Sequence, residues 1–259
     1  MAGSLKSTSE AGTLILTLSN PETRNTLSPE MYAAGIEALN AAENNPEIRS
    51  VIITGEGSMF CAGGNLKRLQ ANRKEAPEMQ AQSIEGLHNW MDSIRTYPKP
   101  VIAAVEGAAA GAGFSLALAC DFIVAASSAL FVMSYINVAL SPDGGGSWGL
   151  VRALPRALVN ELLMLGERVA APRLHDFGLV NRLCAPGEAL AESLRLAGQL
   201  NARAPNALAS IKELVNDAAA NPLSMQLASE RDHFVRNLHH PNGAEGIEAF
   251  LQKRTPHYR

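Results

Sequence analysis

"KPVIAAVEGAAAGAGFSLALACD", Lys99 to Asp121, decides how this chain folds. "KPVIAAVEG" reads as a buried strand that ends at Gly107. Gly111-Ala112-Gly113 then feeds an apolar helix. A buried strand, a glycine turn and a helix in succession form the basic unit of an α/β core. The start of such a helix presents free backbone N–H groups and the positive end of the helix dipole. That suits an anion or a developing oxyanion. The run approaches the G-x-G-x-x-G dinucleotide fingerprint but fails it, because Leu116 stands where the third glycine belongs. No Walker A sequence is present either.

Working outward, the same arrangement occurs upstream. "SMFCAGGNLKRL" (Ser58 to Leu69) places Ala62-Gly63-Gly64 before a helical pattern opened by Asn65. Downstream, "SPDGGGSWG" (Ser141 to Gly149) sets Asp143 before a glycine cluster. Seven of the 21 glycines fall between Gly107 and Gly149, a density that points to close backbone approach. Gly145 to Gly149 also matches the G-x-S-x-G nucleophile elbow, with Ser147 as the nucleophile. An elbow needs a strand running directly into the serine, and Pro142-Asp143-Gly144 argues against one.

Elsewhere, "TLILTL" reads as a strand. "SPEMYAAGIEALNAAENN" reads as a helix with Ser28 as N-cap and Pro29 in its first turn. "IRSVIITGEG", "DFIVAA" and "ALFVM" read as further buried strands, and roughly Met79 to Ile94 as a helix. From about Leu150 the texture becomes helical, with "GLVRALPRALVNELLMLG" read as a single helix. The expected organisation is therefore a core over residues 1–195 that carries the site, followed by a helical region over 196–259.

Composition restricts the function. The chain has 259 residues and a net charge of −3, so it offers no global basic field for nucleic acid. Phe122 to Pro142 lacks formal charge, but its internal serines read as a turn between two strands, not as a membrane span. The beginning of the chain lacks an apolar signal region. Cys61, Cys120 and Cys184 form no C-x-x-C pair, which excludes zinc-ribbon and thioredoxin-like readings and suits a reducing, cytoplasmic compartment. Cys61 reads as small buried filler. His239 and His240 are adjacent in sequence and so do not face one another on a helix, and no metal site is expected.

Together these stretches resemble the crotonase, or enoyl-CoA hydratase/isomerase, superfamily over nearly the whole chain. "NPETRNTLS", "FCAGGNLKRL", the opening run, "FGLVNRL" and "EGIEAFLQKRTPHY" each resemble a landmark of that family. The resemblance implies an α/β spiral of ββα turns with a helical C-terminal region, assembled as a homotrimer or a dimer of trimers. It also implies an acyl-CoA thioester whose carbonyl oxygen accepts from the N–H groups of Gly64 and Ala112. Coenzyme A would then be part of the substrate, with no separate cofactor. Arg24, Thr26, Leu27, Ala62, Lys67 and Arg68 fall in segments that the family uses for CoA and acyl binding. Gly111, Trp148, Phe250 and Lys253 fall in others.

Two departures direct the chemistry. Family hydratases use two glutamates to activate water, and here those positions hold Ser115 and Tyr135. A third position used within the superfamily keeps an acid, Asp143. One carboxylate facing an oxyanion hole suits movement of a double bond, so the reading favours an enoyl-CoA isomerase. A hydratase, a non-catalytic CoA-binding relative and a serine hydrolase using Ser147 are the alternatives.

Overall fold

The computed structural model describes residues 3–259. Among them the strands are β1 (Ser4–Glu10), β2 (Thr13–Ser19), β3 (Ser50–Gly55), β4 (Val101–Val105), β5 (Ala108–Ala110), β6 (Phe122–Ala126), β7 (Leu130–Val132), β8 (Val169–Ala170) and β9 (Arg182–Cys184). The helices are α1 (Pro29–Glu43), α2 (Leu66–Asn72), α3 (Pro77–Thr96), α4 (Ala112–Ala119), α5 (Gly146–Ala153), α6 (Arg156–Leu165), α7 (Ala171–Asp176), α8 (Ala189–Asn201), α9 (Pro205–Ala218), α10 (Leu223–Leu238) and α11 (Pro241–Gln252).

The larger sheet has the order β1-β2-β3-β4-β6-β9, and the smaller one β5-β7-β8. Within the larger sheet only β1 and β2 are antiparallel. Its central strands are buried on both faces, which explains their unbroken apolar sequences. The chain winds by a repeated rule. It lays a strand in the larger sheet, crosses to the line of the smaller sheet, and returns through a helix. β4, β5 and α4 make one such turn. In the two earlier turns the second strand shrinks to single bridges, Leu27 to Gly64 and Cys61 to Ala109. The segment after β2 thus lies against the segment after β3, which lies against β5, which pairs with β7. This is the expected spiral of ββα turns.

Local chemistry starts the helices where the sequence indicates. The Ser28 hydroxyl accepts from the Met31 N–H at 3.4 Å, opening α1. Asn65 Oδ1 accepts from the N–H groups of Lys67 (3.0 Å) and Arg68 (3.2 Å), opening α2. The main core lies on one face of the larger sheet. On the other face, Ala189, Leu196 and Ala197 of α8 pack against Ile52, Ile102, Ala104 and Val124. Helix α8 therefore runs across the expected boundary at 195/196, with buried residues on both sides of it. Lys212 of α9 is tied to the same sheet by an ion pair with Asp121 at 2.8 Å.

Three local differences from the sequence reading have physical causes. β1 is polar and mostly exposed, so it carries no apolar alternation, and its pairing with β2 alone makes it a strand. β5 is three alanines, too short and too featureless to read as a strand. The stretch read as one helix from Gly149 is two, α5 and α6. Pro155 forces the preceding Leu154 into an extended conformation, φ −129° and ψ 155°, and ends α5.

Candidate active site

A cavity of about 900 Å³ is lined by residues of α2, of α3 and of the segment from Ser134 to Gly145. Gly64, Ala112, Tyr135 and Asp143 all border it. Backbone pairing brings the first two together. The Phe60 N–H donates to the Glu106 carbonyl (2.8 Å), Cys61 N–H to Ala108 (3.0 Å), and Ala110 N–H back to Cys61 (2.9 Å). The Gly63 carbonyl accepts from the Leu27 N–H at 2.9 Å. In a trans peptide the Gly64 N–H must then point the opposite way. The Gly111 carbonyl accepts from Phe114 (2.9 Å) and Ser115 (3.1 Å), along the direction of α4. The Ala112 N–H, in the same peptide unit, is therefore directed out of the helix start.

Gly63 makes this approach possible. Its φ is +87°, and a Cβ there would stand 2.5 Å from the Ala110 oxygen and 3.2 Å from the Ala112 nitrogen. Any side chain would force the two turns apart.

Asp143 is held by the two residues at the positions of the hydratase acids. Tyr135 donates its hydroxyl to Asp143 Oδ1 at 2.6 Å. Ser115 donates its hydroxyl to the Asp143 main-chain carbonyl at 2.9 Å. Burial, and then the charge of Asp143, push the Tyr135 phenol far above its ordinary range, so it remains a donor. One carboxylate oxygen is thus engaged and its backbone is pinned. Such an arrangement can hold a single acid/base over a bound ligand while two peptide N–H groups bind an oxyanion.

The other residues singled out in the sequence are distributed more widely. Ala62, Arg68 and Gly111 line the cavity. Leu27 and Thr26 lie buried behind it, where Leu27 bridges to Gly64 and Thr26 exchanges a 2.7 Å hydrogen bond with Thr23. Arg24 accepts the Ala62 N–H on its carbonyl at 3.0 Å and so contributes main chain, not its guanidinium, to this wall. Lys67 is exposed on α2, outside the lining. Phe250 is 84% exposed near the end of α11. Lys253 follows as the C-cap of that helix, and neither residue borders the cavity. Trp148 also lies outside it, because α5 carries the ring to an adjoining hollow of about 350 Å³. There the ring is sandwiched between the guanidinium groups of Arg95 (4.1 Å) and Arg152 (3.9 Å).

Neither Ser147 nor Cys61 has the setting of a nucleophile. Ser147 sits in the first turn of α5, reached through a loop and not from a strand, so no elbow forms. Cys61 is fully buried, and burial pushes its thiol up to about 12. Sequence reasoning missed Tyr32, which lines the cavity from α1 and meets Arg68 there. It occupies an ordinary apolar position of an amphipathic helix, so only the fold reveals it.

Comparison with known proteins identifies the family. The family model described as enoyl-CoA hydratase/isomerase matches residues 8–259. A 1,2-epoxyphenylacetyl-CoA isomerase of Escherichia coli is 38% identical, over 96% of this chain and 95% of that protein. A carnitinyl-CoA dehydratase of Salmonella typhi is 37% identical, over 99% and 98%. The crystal structure of an enoyl-CoA hydratase from Polaromonas sp. JS666 superimposes with a TM-score of 0.98 at 80% identity, covering 99% of this chain and all of that one. With its spiral, its paired turns and its sequence matched almost end to end, this chain belongs to the enoyl-CoA hydratase/isomerase family.

Proposed function

We propose that this enzyme is an enoyl-CoA double-bond isomerase. The thioester carbonyl oxygen accepts from the N–H groups of Gly64 and Ala112. Asp143 removes a proton from C2 of a 3-enoyl thioester, the negative charge spreads through a dienolate onto the carbonyl oxygen, and Asp143 returns the proton to C4. The C3–C4 double bond becomes a C2–C3 double bond, with no change in oxidation state and no water consumed.

The observation that carries this reading is the conversion of both hydratase positions into supports for Asp143, through Tyr135 and Ser115. Among the described residues lining the cavity, the other carboxylate is Glu75, exposed between α2 and α3. Hydration needs a second acid close to the first. The relative named a 1,2-epoxyphenylacetyl-CoA isomerase supports isomerisation as the reaction class, on a different kind of substrate. The names of the dehydratase and hydratase relatives favour the competing lyase reading, which the following experiment separates.

Purified enzyme would be offered trans-2-, cis-3- and trans-3-enoyl-CoA esters and a ring-epoxide CoA ester, with products identified by mass and NMR. Fast conversion of a 3-enoyl ester with slow hydration of crotonyl-CoA is expected, and conversion of the ring-epoxide ester alone overturns the reading in favour of a ring isomerase. Fast hydration with no isomerisation overturns the reading in favour of a hydratase. No turnover of any ester would favour a non-catalytic CoA binder.

Assembly with further copies of this chain, as a trimer or a dimer of trimers, belongs to the same reading. It is supported by the large apolar side chains exposed on α10 and α11, Phe234 (68%), Phe250 (84%) and Leu251 (75%) among them. No helix among the described residues is long and apolar enough to cross a membrane. A cytoplasmic site of action stays part of the proposal.

A further inference from the structure

Arg68 has no direct ion-pair partner among the described residues, although its charge is felt by Glu30 at the start of α1. Its Nε and Nη1 atoms are buried without a hydrogen-bond partner. Its third nitrogen, Nη2, reaches only the Tyr32 hydroxyl, at 3.5 Å, the limit of a hydrogen bond. A guanidinium is always charged and always a donor, and leaving its nitrogens buried and unmet is costly. Both Arg68 and Tyr32 face the cavity that Gly64, Ala112 and Asp143 line. Tyr32 is buried in α1, and burial pushes its phenol up, so its hydroxyl stays protonated beside Arg68. The guanidinium and Asp143 therefore border the same cavity.

We propose that Arg68, assisted by the Tyr32 hydroxyl, is a specificity-determining residue that binds a carboxylate carried by the acyl group of the substrate. The preferred thioester is then one with an anionic acyl end, not a plain hydrocarbon chain. A carboxylate supplies acceptors for one edge of the guanidinium and the opposite charge, the strongest complement for a partly buried arginine. The CoA phosphates are the other source of anionic oxygen that must be distinguished. The proposal rests on the reading that the acyl group occupies this cavity, but not on the reaction that follows.

Binding of unreactive thioesters tests it by calorimetry, with no turnover required. The ligands are CoA itself, butyryl- and hexanoyl-CoA, and the series malonyl-, succinyl-, glutaryl- and adipoyl-CoA. Wild-type enzyme should bind one member of the dicarboxylic series at least about tenfold more tightly than the methyl-ended esters. Arg68→Met should abolish that preference and leave CoA and hexanoyl-CoA unchanged. Tyr32→Phe should reduce it in part. Arg68→Gln gives the same readout should the Met variant fail to fold. The proposal is overturned if no carboxylate ester is preferred by the wild type. Equal weakening of CoA and all its esters in the Arg68 variants also overturns it, because Arg68 would then hold the nucleotide phosphates. A wild type that shows the preference but no isomerase activity would fault the reaction assignment alone, whereas a preference kept by the Arg68 variants overturns the proposal.

Discussion

The donors of Gly64 and Ala112 and the carboxylate of Asp143 meet in one cavity, but they are built differently. The donors are peptide N–H groups, aimed by carbonyls that are already committed to Leu27 on one side and to Phe114 and Ser115 on the other. No side chain is needed for them, and their direction follows from winding the spiral. Asp143 is a side chain on a loop, and its placement depends on two hydroxyls contributed by α4 and by the segment after β7. The first half of the site is therefore fixed by the fold, which it shares with hydratases and isomerases alike. The second half is fixed by a few side chains and can change while the fold stays constant.

The largest expected effect lies on the side-chain half. Asp143→Asn keeps shape and hydrogen bonding but cannot carry a proton. Isomerase kcat should fall by about 10²–10⁴, with saturated acyl-CoA affinity little changed. Full activity in this variant would remove Asp143 from the chemistry.

Next comes the backbone half, which ordinary side-chain changes leave intact. Ala112→Pro removes one N–H at the first helical position, where proline is tolerated. Turnover should fall by about 10²–10³ while the thermal midpoint stays close to that of the wild type. The adjacent glycines sharpen the point. Gly63→Ala should destabilise by about 1–3 kcal/mol or more, since its φ is +87° and its Cβ would strike the Ala110 oxygen. Gly64→Ala should be nearly silent in both stability and rate. A Cβ there meets only Leu69 at 3.7 Å, and the N–H remains. Equal damage from the two substitutions, seen in thermal melts, would break the argument that geometry and not residue type defines this half.

Tyr135→Phe is expected to cost about tenfold in kcat, the scale of one hydrogen bond to a charged group. Ser115→Ala should cost less, because it releases only a main-chain carbonyl. Hydration that appears in neither variant but depends on both hydroxyls in the wild type would instead make them water-activating groups. Ser147→Ala should lie within a few-fold of wild type, and covalent labelling of Ser147 by a fluorophosphonate with loss of turnover would contradict that.

The contrast also explains what the sequence made legible. Strand–glycine–helix runs are local signals, so the turns at Gly63 and Gly111 and the cap at Asn65 could be read directly. Asp143 stood out only against a family pattern, because Pro-Asp-Gly alone is common turn chemistry. The Tyr135–Asp143 and Ser115–Asp143 contacts were invisible for a different reason. The sequence marked those positions as lacking acids, but it carried no sign that hydroxyls there would converge on the third acid. Arg68 read only as part of a segment used for CoA and acyl binding, and only the fold brings its guanidinium to the Tyr32 hydroxyl. β1 and β5 escaped notice because pairing partners, not their own residues, make them strands.

The bond from Tyr135 to one oxygen of Asp143 has a stereochemical consequence. Under the proposed isomerisation, with Oδ1 accepting from Tyr135, the other oxygen would both take the C2 proton and deliver it to C4. The shift would then be suprafacial, departure and return occurring on the same face of the planar dienolate. A substrate carrying deuterium at one prochiral C2 position would pass that label to a single face of C4, and its mirror-labelled partner would pass none. The label retained in the product would record how long the dienolate lives relative to exchange of that one carboxyl proton with solvent.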